Sequence, residues 1–486
     1  MNKKYNNLNE LKRVAEYCID IKFKDLGYDD FILANPKNKG SIGQFVEENI
    51  FQYKCNNSPE PDIAELGVEI KTSPFIYVKN GTELRSKERL VLNMINYNED
   101  NLDSFEKSHL WNKNKKQLIL FYRHNNSVDK KEWFIEDYLY RDWTSPEFAT
   151  DLEIIKNDWK IITDKIKQGK AHELSEADTM YLGACTKGKT AENSFVTQPF
   201  SNALAKKRAF CLKNSYMNYL ININTKIKNH DINYSSSSIV KDGKKLKSKT
   251  LEEYIIDIFK PFVGTTTDEL ISKFNIDNKK SKQINSIIVK NILNIDSFAE
   301  KSNEFQKANI EVKTIVLDKN GVPTQHMSFP KFEFKKIINQ TWEESDFYQK
   351  LSTTKFMFVV FKINSSGKKE LLGTKFWNMP QKDMDTIERE TWNPLIKVLR
   401  EGVILKYIPP KNPKSNGRVE NNLPKSSETS ISHVRNHSSK TYYRFKDIPL
   451  GPDNYKCFGD ELPNGDWMTS QCFWLNKKYV MKISKL

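Results

Sequence analysis

The chain has 486 residues and a mass of 56.8 kDa, room for two or three domains at about 100–200 residues each. Its hydrophobic content of 38%, with 12% aromatic, excludes a wholly disordered chain, and no run approaches the roughly 18 apolar residues of a membrane span. The 77 Lys and Arg outnumber the 62 Asp and Glu, giving a net charge of +15 and a pI near 9.1, which favours a polyanionic partner. A coding bias toward Asn, Lys and Ile would leave the same excess, so charge alone does not choose.

The N-terminus, MNKKYNNLNELKRV, has basic residues with no apolar core behind them and no small-residue cleavage site. A soluble, cytoplasmic protein is expected. The cysteines Cys18, Cys55, Cys185, Cys211, Cys457 and Cys472 form no C-x-x-C pair, which excludes a zinc ribbon and a small disulfide scaffold. His433 and His437 sit in ISHVRNHSSK, which reads as strand and loop, so no metal pair is expected there.

Along the chain, Leu8–Leu26 and Ile42–Tyr53 carry helical periodicity. Gly67-Val-Glu-Ile-Lys-Thr72 alternates as a half-buried strand does, and Gln117–Arg123 is an apolar strand. Asp151–Gly169 returns to helix, with Gly at its C-cap. The fold class is α+β, a mixed sheet with flanking helices. The Ser- and Lys-rich residues 229–250 read as a linker between domains 1–228 and 251–486. Pro409–Ser439 reads as a long surface insertion.

The second half repeats the order of the first. Helical segments Leu251–Phe262, Glu269–Phe274 and Ile284–Asn294 precede an alternating strand, Asn309–Val316, and an apolar one, Phe356–Phe361. Glu65-Leu-Gly-Val-Glu-Ile-Lys-Thr72 matches Lys307-Ala-Asn-Ile-Glu-Val-Lys-Thr314, so two diverged copies of one fold are the economical reading.

Chemistry concentrates in Pro61–Thr72. Alternate strand residues share a face, so Glu69 and Lys71 point together while Val68 and Ile70 face the core. Asp62, one turn upstream, can bring a second carboxylate beside Glu69. Two carboxylates on an open face suit a hard cation such as Mg²⁺, and a neighbouring ammonium can orient water and offset developing charge. On spacing alone, an amphipathic edge strand with a solvated Glu/Lys face accounts for the same residues.

A resemblance goes further. Lys39-Gly-Ser-Ile-Gly-Gln-Phe-Val-Glu47, Pro61-Asp62 and Gly67-Val-Glu-Ile-Lys-Thr-Ser-Pro74 resemble the MutH family of GATC-specific endonucleases, and more closely the large Sau-type GATC restriction endonucleases. The likeness continues through Ser86–Tyr97, Gly169–Glu176, Cys185-Thr-Lys-Gly188 and Lys207–Lys213, then Glu401–Val403, Ser432–Arg435 and Asp466–Thr469. It implies a restriction-endonuclease-like PD-(D/E)xK fold, duplicated as two MutH-like domains, the first catalytic.

The resemblance implies that Asp62 and Glu69 bind the metal with the Ile70 carbonyl, that Lys71 is the catalytic lysine, and that Glu47 and Lys113 assist. Read without it, Glu47 flanks an amphipathic helix and Lys113 lies in a charge run, NKNKK, so solvated side chains are the plain alternative for both. For DNA contact it points to Lys39 and Gly40, to Thr186 and Lys187, and to Tyr216, with Arg435, Asn436 and His437 as candidates in the second half. Thr186 stands where MutH itself carries an arginine.

In the second copy Glu304 takes the place of Asp62, while Glu311 and Lys313 keep the strand pair. Lys290 replaces Glu47 and Lys307 replaces Glu65, a change that suits phosphate better than a cation. The expectation is a Mg²⁺-dependent type II restriction endonuclease on double-stranded DNA at GATC, cutting before the G. The second domain would hold another GATC site as an effector, and a GATC methyltransferase is the expected functional partner. A double-strand break then needs sequential nicks or two chains, monomeric in solution, that pair on DNA. The alternatives are a MutH-like mismatch-repair nicking enzyme and a non-catalytic GATC-binding protein.

Overall fold

The computed structural model describes residues 3–34, 40–54, 58–78, 83–98, 103–125, 127–188, 194–228, 238–277, 281–410, 417–446, 448–451 and 457–486. Their contacts divide the chain into two units, Met1–Ile255 with Asn294–Ile310, and Ile256–Leu293 with Glu311–Leu486. Both are mixed α+β.

The first unit contains α1 (Leu8–Tyr17), α2 (Tyr28–Ala34), α3 (Ser41–Phe45), β1 (Val68–Val78), β2 (Glu83–Ser86), β3 (Leu90–Ile95), α4 (His109–Asn114), β4 (Lys116–Arg123) and β5 (Ile135–Asp142). It continues with α5 (Ala149–Lys167), β6 (Leu182–Thr186), β7 (Phe195–Gln198), β8 (Ser201–Lys206), β9 (Arg208–Leu212) and α6 (Asn214–Lys228). The main sheet runs β2-β1-β4-β5, with β1 parallel to β4 and the other pairs antiparallel. A second sheet runs β3-β9-β6, and β7 pairs with β8 as a hairpin.

Strand β4 is apolar because both of its faces are covered, and Gln117 to Phe121 are all buried. One face joins Val68 and Ile70 of β1, Phe45 of α3 and Val46 just after it in a core cluster with Leu11, Phe23 and Ile135. Sealing that cluster places the start of β1 and the helix carrying Glu47 in one core. The expected helix Leu8–Leu26 is shorter, ending at Cys18, with Asp20 at φ 62 and a separate 3-10 turn at Phe23–Leu26. The helix from Ser41 widens into a π-turn at Val46–Ile50 and stops where Gln52 takes φ 53.

The expected linker is also different. Residues 229–237 lie outside the described residues, but 238–250 pack within the first unit. Ile239, Val240 and Leu246 are buried there, and the Asn157 side chain of α5 donates to the Leu246 and Lys249 carbonyls. Three aliphatic side chains in an otherwise polar stretch are enough to anchor it.

In the second unit, β10 (Ile310–Leu317), β12 (Lys355–Ile363) and β13 (Lys369–Trp377) form one sheet, in the order β10-β12-β13. Strand β11 (Met327–Lys331) joins Gln471–Leu475 and Ser432–Asn436 in another. Much of Pro409–Ser439 is therefore structural rather than a surface insertion, since Leu423, Ile431 and Val434 are buried. Among the described residues, no helix is long and apolar enough to cross a membrane.

Candidate active site

The turn before β1 builds the site. Gly67 takes φ +63, a left-handed value that glycine adopts freely, and folds Ile63 back against Val68. The two exchange backbone hydrogen bonds of 2.9 and 3.2 Å. At Ile70 the outer edge of β1 has no strand partner, because β2 pairs only with Phe75–Val78. The Ile70 N–H donates instead to the Asp62 carboxylate, at 3.0 Å. A strand residue's N–H and C=O point the same way, so the Ile70 carbonyl opens toward Asp62.

Glu69 is only 1% exposed, so the face of β1 that carries it is covered and not half-solvated as its alternation suggests. The Glu69 carboxylate accepts from the Asp62 N–H at 3.2 Å and from Lys71 Nζ at 2.6 Å. Lys113 Nζ, in the last turn of α4, lies 3.7 Å from the same carboxylate and donates to the Ser58 carbonyl at 2.9 Å. Burial pushes the Glu69 carboxyl up to about 7; Lys71 and Lys113 oppose the rise and Asp62 adds to it. Two lysines thus leave part of the burial cost of this charge uncompensated.

The structure therefore gathers Asp62, Glu69, the Ile70 backbone, Lys71 and Lys113. Ser58 was not singled out by sequence; nothing marks a loop serine whose carbonyl will orient a lysine 55 positions away. Glu47 is half-buried on the π-turn. One turn before it, Gly43 lies against β1, where an added Cβ would stand 3.5 Å from Thr72 Oγ1.

The expected DNA contacts scatter more. Lys39 lies outside the described residues, and Gly40 is the exposed residue preceding α3. Thr186 ends β6 exposed, opposite Arg208, and the Lys187 N–H donates to the Lys207 carbonyl. Tyr216 requires a correction: it lies in α6, is 0% exposed, and its hydroxyl donates to Asp151 at 2.8 Å. It packs the interior beside Tyr181 and offers no surface to DNA. In the second unit Arg435 is exposed, its guanidinium 5.6 Å from the Trp474 ring.

The residues matched to the site in the second copy are engaged elsewhere. Glu304 belongs to the first unit, where its carboxylate accepts from Ile239 N and Val240 N at 3.0 Å and from Ser238 Oγ at 2.6 Å. Lys307 is buried against Asp151 at 2.8 Å and lies 4.2 Å from the Tyr219 ring, so it does not face phosphate as its sequence position suggests. In the second unit Glu311 pairs with Lys313 at 2.6 Å and also with Lys350.

A mixed α+β unit with paired carboxylates and two lysines on one strand edge has the make-up of a nuclease of restriction-endonuclease-like fold. The family model described as DNA mismatch repair enzyme MutH matches residues 51–158 and 293–390. The first match contains Asp62, Glu69, Lys71 and Lys113; the second contains Glu304, Glu311 and Lys313. Sau3AI of Staphylococcus aureus, a type II restriction enzyme, is 37% identical over 473 residues, covering 92% of each chain. The chain belongs to this family of MutH-related type II restriction endonucleases, site-specific deoxyribonucleases.

Proposed function

We propose that the chain cleaves double-stranded DNA at GATC by Mg²⁺-dependent hydrolysis of a phosphodiester in each strand. The observation that carries this reading is the convergence of Asp62, Glu69, Lys71 and Lys113 on one edge of β1. The donor set is all oxygen, the buried Glu69 carries a charge only partly offset by lysine, and two carboxylates leave positions for phosphate and water. Asp62, Glu69 and the Ile70 carbonyl would hold Mg²⁺, which when bound neutralises the scissile phosphate and acidifies water.

Lys71 orients the attacking water and offsets the charge that builds on phosphorus-bound oxygen. Lys113, steadied by Ser58, adds a second positive charge, and Glu47 supplies an accessory carboxylate. Water attacks in line, the bond from phosphorus to the 3′ oxygen breaks, and the water's protons pass to that oxygen and to solvent, leaving 3′-hydroxyl and 5′-phosphate ends. The loop at Thr186 and Lys187, with Lys39 and Gly40, contacts the recognition sequence.

In this reading the second unit binds another GATC site without cutting, with Arg435, Asn436 and His437 at its surface; Glu311, paired with two lysines, lacks the second carboxylate that Asp62 gives Glu69, because Glu304 is bonded to Ser238, Ile239 and Val240. A restriction enzyme is preferred to a mismatch-repair nicking enzyme because the family match occurs twice in the chain. Plasmids with one and two GATC sites test the arrangement. Faster double-strand cleavage of the two-site plasmid supports an effector unit; equal rates remove it and leave the nuclease.

A further inference from the structure

Phe200, at the tip of the β7–β8 hairpin, is 84% exposed, and its backbone takes φ 59. A bulky residue at positive φ is a genuine outlier, and an aromatic ring in water forgoes the burial that usually offsets such strain. Phe195 and Leu204 on the same hairpin are 43% and 56% exposed.

The hairpin is nonetheless firmly held. Gly169 approaches so closely that a Cβ there would stand 2.7 Å from the Phe200 carbonyl oxygen. Gln198 is buried just before the tip; its side chain accepts from the Ala171 N–H at 2.7 Å and donates to the Ala203 carbonyl at 2.6 Å. At the base, the Tyr97 hydroxyl donates to the Lys206 carbonyl at 2.6 Å. A strained, exposed ring on a braced support is presented to something outside the unit.

The chemistry around it selects the occupant. Residues 194–207, SFVTQPFSNALAKK, carry two lysines and no carboxylate. The hairpin is continuous with the Thr186–Lys187 loop, since the Lys187 N–H bonds to the Lys207 carbonyl at 2.8 Å and the Lys207 N–H to the Ser194 carbonyl at 2.7 Å. Apolar wedges flanked by lysine are how proteins unstack a base step while gripping the backbone on either side. We propose that the β7–β8 hairpin is a DNA wedge: Phe200 inserts at a base step beside the recognition sequence while Lys206 and Lys207 contact the adjoining phosphates. The inference rests on the DNA-cleaving reading and deepens it, because sequence choice then depends partly on how readily that step opens.

The test uses full-length protein with Ca²⁺ in place of Mg²⁺, and GATC duplexes carrying 2-aminopurine in turn at each position across one helical turn. Wild type raises the fluorescence several-fold at one step. Phe200→Ala and Phe200→Gly lose that signal and bind about tenfold more weakly with an unchanged salt slope, whereas Lys206→Gln and Lys207→Gln each lower the slope by about 1. Because glycine accepts the positive φ, Phe200→Gly keeps or raises the thermal midpoint, which separates the wedge from a folding role. Variants that distort and bind DNA as wild type does, while wild type cleaves GATC, overturn the wedge alone. A free protein whose sedimentation changes with Phe200→Ala while the DNA signal persists points to self-association and also overturns it. Wild type that binds no duplex overturns the wedge and the nuclease reading together.

Discussion

Asp62 and Glu69 fix one another: the backbone N–H of Asp62 donates to the Glu69 carboxylate at 3.2 Å, across the turn that Gly67 closes. The Asp62 side chain in turn holds the Ile70 N–H at 3.0 Å. The pair of carboxylates is thus part of the strand's own hydrogen bonding, set before any substrate arrives, and such preorganisation is what electrostatic catalysis requires.

This arrangement predicts a conflict between stability and activity at Glu69. Its carboxyl is held near 7 against an ordinary value of 4.5, so above pH 7 the metal-free protein bears the full cost of a buried charge, and below about pH 4.5 it bears none. Glu69→Gln removes that cost and keeps an acceptor for Lys71. Calorimetry in EDTA at pH 8 should show the variant melting about 2–4 °C higher, with DNA cleavage abolished.

Lys113 lies farther from the Glu69 carboxylate than Lys71 does, 3.7 Å against 2.6 Å, and its tether is a backbone carbonyl. Lys113→Met should lower single-turnover cleavage by roughly 10–100-fold, less than loss of Lys71, with DNA affinity nearly unchanged. An equal loss in binding would make it a phosphate contact instead.

Lys307 and Asp151 form a buried ion pair that also receives the Tyr216 hydroxyl. Lys307→Met leaves a buried carboxylate without its cation and should cost the first unit about 3–5 kcal/mol in urea unfolding. The salt dependence of DNA binding should be unaltered, since this lysine faces the interior.

His433 titrates the other way from Glu69. It is buried with Nδ1 2.6 Å from Asn476 Oδ1, and burial lowers its pKa to about 4 from an ordinary 6.5. The unfolded chain therefore binds more protons between pH 6.5 and 4, and the second unit loses stability as pH falls through that window, by on the order of 2 kcal/mol. Urea midpoints of wild type and His433→Gln measured across it should converge toward pH 4.

The sequence made the local order legible where periodicity is strong. Strands β1, β4 and β10 and the helix at Ala149–Lys167 fall close to where their patterns put them. Alternation put Glu69 and Lys71 on one face with Asp62 just upstream, while their reading as a site came from the family resemblance. What failed depended on long-range packing. The burial of Glu69 needs the covering of both sheet faces, the interior place of Tyr216 needs α6, and the capture of Glu304 and Lys307 needs partners 65 and 156 positions away. No local pattern encodes such partners. Phe200 went unremarked because an exposed aromatic is recognisable only once its neighbours are known.

In the proposed mechanism Lys71, beside Asp62 and Glu69, drives metal-dependent hydrolysis at GATC. The direct measurement is cleavage of unmethylated plasmid with and without GATC sites, in Mg²⁺ or EDTA, by wild type and Lys71→Ala matched for folding and DNA affinity. Double-strand breaks are expected only with Mg²⁺, GATC and Lys71 together, with a rate at least 10³-fold lower in the variant. Cleavage by Lys71→Ala at the wild-type rate, or by wild type in EDTA, would contradict that mechanism.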